Sequence, residues 1–190
     1  MRVITGTARG RKLKELEGME TRPTTDRVKE GLFSSIQFEI EGRRVLDLFA
    51  GTGQLGIECL SRGAAAATFV DHRADAVGLI RENLKLTGLS DRARVVSGDS
   101  MEFLHTLREK YDLIFLDPPY AAGLLEPALA HIAKFDILSP HGIIVAESPA
   151  DRKLPALSAP YGISRTYRYG KIALTIYRRA GDEKSEDTNS

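Results

Sequence analysis

Five apolar runs of strand length carry the middle of the chain: Val45 to Phe49, Thr68 to Asp71, Arg94 to Ser97, Asp112 to Leu116 and Ile143 to Glu147. Segments with helical periodicity lie between them. Val77, Ile80 and Leu84 recur at that spacing before Gly88, and Met101, Leu104 and Leu107 before Tyr111. Short buried strands alternating with helices are the pattern of a parallel sheet with crossover connections, so an α/β fold is expected. Gly63 and Gly88 stand where helix C-caps are needed.

The last third breaks this alternation. Tyr161 to Tyr169 and Ile172 to Arg178 are strand-like but separated only by Gly170 and Lys171, so they are predicted to form an antiparallel hairpin. At the front, Arg2 to Thr7 and Lys12 to Leu16 flank Ala8-Arg9-Gly10-Arg11 as a second, smaller hairpin. Arg22-Pro23-Thr24-Thr25-Asp26 then leads into a helix whose apolar stripe is Val28, Leu32, Phe33 and Ile36.

With 190 residues and 42% hydrophobic content, one sizeable core is expected. The predicted organisation is a basic hairpin appendage over residues 1–20, a catalytic domain over 21–180 and a disordered polar tail over 181–190. No apolar run approaches bilayer length, and MRVITGTARGRKLK lacks a secretory h-region, so a cytoplasmic protein without a membrane partner is expected. Cys59 is the single cysteine, which excludes an intrachain disulfide and fits a small buried hydrophobe on a helix. His72, His105, His131 and His141 have no metal-ligand spacing, and no metal is expected.

The chemistry concentrates at two strand ends. Asp47-Leu-Phe-Ala-Gly-Thr-Gly-Gln-Leu-Gly56 contains G-x-G-x-x-G, and Asp71 follows at the end of the next strand. Gly51, Gly53 and Gly56 would let backbone approach an adenosine-bearing cofactor, and Asp71 can accept ribose hydroxyls. These features alone suit a nicotinamide dinucleotide and S-adenosylmethionine equally. Asp47 favours the second, because a carboxylate beside the loop repels a pyrophosphate but attracts a methionine ammonium.

Asp117-Pro118-Pro119-Tyr120 is more specific. Two prolines cannot continue a ladder, and they present carbonyls along a stiff path. Asp117 and the Pro118 carbonyl can together accept both hydrogens of an exocyclic amine, while Tyr120 stacks on the base that bears it.

With these residues in view, the chain resembles the RsmD-type methyltransferases, which modify the exocyclic N2 of a guanine in small-subunit (16S) ribosomal RNA. The resemblance runs from Met1 to about Arg179, through MRVITGTARGRKLK, TRPTTDRVKEGLF, VLDLFAGTGQLGIECLSRGA, LIFLDPPY and the closing hairpin. It implies a Rossmann-like class I S-adenosylmethionine-dependent methyltransferase fold, a mostly parallel sheet ending in an antiparallel hairpin. It also implies that Gly51, Gly53 and Asp71 hold the cofactor, that Asp99 faces adenine, and that Arg22, Pro23 and Thr24 lie near the methionine end. Phe49, His72 and Ser100 are expected to line the same pocket, and Asp117, Pro118, Pro119 and Tyr120 to address the target amine. The chain departs from the family in having Asp71 where glutamate is common and Ser34 where asparagine is common.

The formal net charge is only +1, but residues 1 to 14 hold five cations and no acid. Arg9, Arg11, Lys12 and Lys14, with Arg27, are expected to contact RNA phosphates beside the active-site mouth. The expected partner is ribosomal RNA or the small ribosomal subunit, with the protein acting as a monomer. A DNA adenine-N6 methyltransferase is the alternative enzyme, since DPPY also suits adenine. A nicotinamide-dependent oxidoreductase and a non-catalytic RNA-binding assembly factor stand further off.

Overall fold

The computed structural model describes residues 1–16 and 26–179; Arg22, Pro23, Thr24 and the acidic tail therefore lie outside the described residues. The elements in order are α1 (Asp26–Ser35), β1 (Arg44–Asp47), α2 (Gln54–Ser61), β2 (Ala66–Asp71), α3 (Ala74–Thr87), β3 (Ala93–Ser97), α4 (Ser100–Thr106), β4 (Tyr111–Leu116), α5 (Leu125–Lys134), β5 (Leu138–Pro149), β6 (Tyr161–Tyr169) and β7 (Ile172–Arg179). They build a seven-stranded sheet in the order β3-β2-β1-β4-β5-β7-β6. The first five strands are parallel, and β7 lies antiparallel between β5 and β6.

The continuous apolar runs arise because both sheet faces are covered. Leu113 and Phe115 of β4 join the core made with α1, α2 and α3, while Ile114 and Leu116 join the core made with α4 and α5. The stripe Val28, Leu32, Phe33 and Ile36 of α1 is buried in the first of these. Cys59 is fully buried on α2. Gly63 and Gly88 follow α2 and α3 with φ of 99° and 70°, the left-handed conformation that ends a helix cheaply only at glycine.

Three expectations change in detail. Strand β1 stops at Asp47 rather than Phe49, because the Ala50 amide turns aside to bond the Val70 carbonyl at 3.0 Å. Strand β5 begins at Leu138, and its register with β4 jumps from Tyr111↔Leu138 to Leu113↔Ile143. The chain makes that jump through His141, at φ 59°, and Gly142, whose missing Cβ would lie 2.9 Å from the Asp112 carbonyl oxygen.

The front hairpin shrinks to a single antiparallel bridge between Arg2 and Lys12. What holds this segment is the body of the protein: Val3, Ala8 and Leu13 are buried in the core shared with α1 and α2. Glu58 of α2, fully buried, accepts the amides of Ile4 at 2.8 Å and Thr5 at 3.0 Å and the Arg62 Nε at 2.9 Å. Lys29 Nζ lies 3.7 Å from the same carboxylate and donates to the Arg2 carbonyl at 2.9 Å. Two buried charges are tolerable here because both are paired and hydrogen-bonded. Among the described residues no helix is long and apolar enough to cross a membrane.

Candidate active site

Strand order reverses between β1 and β4, since β1 leads outward through β2 to β3 while β4 leads the other way to β5. Ligands in open α/β sheets bind outside the carboxyl ends of the strands at such a point. Asp47 closes β1 there, in register with Phe115, and Asp117 follows two residues later, just past the end of β4. The fold thus brings together the two motifs that stand 70 residues apart in the sequence.

The glycine loop is braced from three sides. Asp71 Oδ2 accepts the Gly51 amide at 2.8 Å and Oδ1 accepts the Arg73 amide at 2.9 Å, so the carboxylate expected to hold a ribose also fixes the loop. Asp47 Oδ2 accepts the Gly56 amide at 3.1 Å in the first turn of α2. Asn83, fully buried on α3, donates to the Thr52 carbonyl at 3.0 Å and grips the Lys14 backbone with both ends of its amide. Burial pushes the Asp47 carboxyl up to about 7, the nearby Asp71 charge adds to the rise, and the Gly56 hydrogen bond opposes it.

The loop also has the features a cationic, adenosine-bearing ligand requires. Gly51 has φ 55°, and a Cβ built on it would meet nothing within 4 Å, so the side chain it lacks leaves space beside the backbone. Gln54 Oε1 is buried and takes no hydrogen bond, an acceptor awaiting a donor. Gly56 has another role, because a Cβ there would lie 2.3 Å from the Phe69 ring; it allows α2 to pack on β2.

The other expected cofactor residues divide. Asp99 is exposed at the start of α4, with one oxygen capping the amides of Met101 and Glu102 at 2.8 and 2.9 Å. Ser100 is buried and its hydroxyl donates to the Leu48 carbonyl at 2.7 Å, which ties α4 to the end of β1. Phe49 is partly buried against the second core, and the exposed His72 ring lies beside Asp71. A groove of about 640 Å³ runs from Gly98 and Asp99 along α4, outside the switch point.

At the end of β4, Asp117 is half-buried, Pro118 buried and Pro119 exposed. The Tyr120 hydroxyl donates to Glu147 Oε1 at 3.1 Å. Glu147, only 7% exposed, ends the apolar part of β5 beside Ala146, the register partner of Leu116. Sequence reasoning placed Glu147 at a strand end but gave it no role; the signal is that it ends its strand on an acid, as Asp47 does. Asn83 was missed although it sits on the buried stripe with Ile80 and Leu84, where an amide needs partners.

The N-terminal cations divide, since the Lys14 backbone shares Asn83 with the glycine-loop Thr52 while Arg9 and Arg11 lie further along α2. The Thr7 and Ala8 amides bond Ser61 at the last turn of α2, the end remote from the glycine loop. Arg9 and Arg11 thus sit near the far end of a helix of eight residues, about 12 Å long. Lys12 is exposed on the bridge to Arg2. Lys14 Nζ is not free of acids but meets Glu82 at 2.8 Å. Arg27 is exposed near the start of α1, and Ser34 is exposed on its last turn. His131 packs α4 against α5, its Nε2 at 3.1 Å from the Leu104 carbonyl, where burial lowers its pKa.

Residues 1–178 match a family model described as "Conserved hypothetical protein 95". The chain is 41% identical over 184 residues to "Putative rRNA methyltransferase YlbH" of Bacillus subtilis, covering 95% of this chain and 100% of the relative. It is 36% identical over 187 residues to "Ribosomal RNA small subunit methyltransferase D" of Escherichia coli, covering 98% and 93%. Among solved structures, "Putative methyltransferase yhhF from Escherichia coli" superposes with a TM-score of 0.86 at 35% identity, over 95% of this chain and 98% of that one.

Proposed function

The chain belongs to the RsmD family, and from that premise we propose that it methylates the exocyclic N2 of a guanine in small-subunit ribosomal RNA, with S-adenosylmethionine as methyl donor. The observation that carries this reading is the meeting of the glycine loop and the DPPY turn at one switch point, with Asp47 in register two residues before Asp117. S-adenosylmethionine supplies a methyl group on a sulfonium, already electrophilic without metal or acid.

Asp47, Gln54, Gly51 and Gly53, Asp71 and Asp99 would hold this cofactor. The protein's remaining task is alignment and exclusion of water. The guanine amine is a poor nucleophile because its lone pair is delocalised into the ring. Hydrogen bonds from that amine to an Asp117 oxygen and to the Pro118 carbonyl favour a pyramidal nitrogen aimed across the switch point. Tyr120, fixed by Glu147, closes the base pocket. The amine proton becomes acidic as the nitrogen gains its new bond, so Asp117 can take it without being a strong base.

A base reaches such a pocket only by leaving its stack, which costs least in looped RNA. On this reading the protein would act in the cytoplasm, as a monomer. The test is to map methylated nucleotides in small-subunit RNA from cells lacking the protein and to restore the mark in vitro. One N2-methylguanine should vanish and return. A complete set of guanine marks, or label appearing as N6-methyladenine in DNA, would overturn the reading.

A further inference from the structure

From Arg152 to Arg179 the chain has seven Lys and Arg and no Asp or Glu. Three of these cations are paired within the fold: Arg152 with Glu126, Arg178 with Glu39 and Arg179 with Asp136. Arg168 and Lys171, either side of Tyr169 and Gly170, are exposed and enter no ion pair among the described residues. They form the tip of the β6–β7 hairpin.

That tip lies on the catalytic rim. Pro149 of β5 opposes Ile172, and the Ala150 amide donates to the Lys171 carbonyl at 2.9 Å. Pro149 is three residues past Ala146, the partner of Leu116 just before Asp117. Lys171, opposite Ala150, therefore rises beyond the end of β4 by about 13 Å and stands two strands across, about another 10 Å. The tip is also rigidly held, because Tyr169 packs on α1 where Gly31 has no side chain; a Cβ there would lie 2.4 Å from the phenol oxygen. Arg27, exposed one helical turn before Gly31, adds a third cation on the α1 face of the tip.

We propose that the tip, through Arg168 and Lys171, clamps the phosphates of the RNA strand that delivers the target base. This rests on the reading of the protein as an RNA methyltransferase, and it moves the clamp from the N-terminal turn to the C-terminal hairpin. Two cations on a fixed turn beside the mouth can position a strand while leaving the base free to enter, since phosphate contacts set register and carry no sequence information.

The test compares wild type with an Arg168→Ala, Lys171→Ala double variant, binding a single-stranded guanine-containing RNA across a salt series. The log-log slope should fall by about 1.4, that is about 0.7 for each of two phosphates of a single strand. The KM for RNA should rise with kcat and S-adenosylmethionine affinity unchanged, and Arg168→Lys should keep the slope. An Arg81→Ala, Lys85→Ala pair on the outer face of α3 provides the control for net charge alone. Unchanged slopes in the hairpin variant, or a fall in Arg9→Ala, Arg11→Ala instead, would overturn the proposal. So would normal RNA binding with activity lost only on assembled subunits, which would point to a ribosomal protein at the tip. Salt-dependent RNA binding that the hairpin variant weakens, without methyl transfer by wild type, would support the clamp and reject the reaction.

Discussion

The phenol of Tyr120 donates to Glu147 Oε1 at 3.1 Å, which joins the turn after β4 to the end of β5. Each residue restrains the other, so their removal should not be additive. Tyr120→Phe and Glu147→Ala are each expected to lower single-turnover methyl transfer by roughly tenfold, the scale of a hydrogen bond to a charged group. The double variant should be little worse than either. Additive losses in a double-mutant cycle would mean that the two side chains act separately.

Asp117→Ala tests the amine acceptor. The variant should keep its circular dichroism and most of its S-adenosylmethionine affinity, and lose on the order of a hundredfold or more in single-turnover rate because alignment is lost. Transfer at the wild-type rate would remove Asp117 from the reaction.

Asp47 should make stability depend on pH. Its carboxyl is raised from an ordinary value of 3.8 to about 7 in the fold, so folding favours the protonated form. The contribution is complete below the unfolded value and is lost as pH rises through about 7. Asp47→Asn keeps an acceptor for the Gly56 amide and cannot ionise. Without cofactor it should match wild type near pH 4 and be more stable at pH 8 by roughly 1 to 4 kcal/mol. Urea titrations at the two pH values decide this, and an equal difference at both would show that desolvation of Asp47 is not felt. Cofactor binding should also release about half a proton at pH 7, rising toward one near pH 6, in wild type, read by calorimetry in buffers of different ionisation enthalpy, and none in the variant.

Two glycines of one motif should fail differently. Gly56→Ala drives a methyl into the Phe69 ring and should cost roughly 1 to 3 kcal/mol of stability, with cofactor affinity kept in the folded fraction. Gly51→Ala carries strain of about 1 to 2 kcal/mol from its left-handed backbone, but its added methyl enters open space beside the loop. It should lose far more in cofactor binding than in thermal stability. Melting curves and calorimetry on both proteins separate the two failures.

The sheet was legible because burial on both faces writes strands as continuous apolar runs, and the closing hairpin because Gly170-Lys171 leaves no room for a helix. The positions of Asp47 and Asp117 at strand ends were legible for the same reason. That the two strands adjoin follows from strand order, which periodicity does not carry. The placement of the N-terminal segment was not legible, since its cations are conspicuous and its anchors are not: Glu58 and Ser61 sit 50 or more residues away on a helix that looks merely amphipathic. Glu147 and Asn83 were hidden because each resembles an incidental polar residue until its partners are known.

The attachment of the first residues to Glu58 and Ser61 has a consequence for how the protein is made. The Thr5 amide waits for a carboxylate 53 residues later in the chain, and at ~5 to 20 residues per second that is a delay of roughly 3 to 10 s during synthesis. Val3 and Ala8 have no covering core in that interval. At the other end, β7 threads between β5 and β6, so the sheet cannot complete until nearly the last described residue has left the ribosome. Arg2 to Leu13 and the free edge of β5 thus stay uncovered until partners far along the chain have emerged.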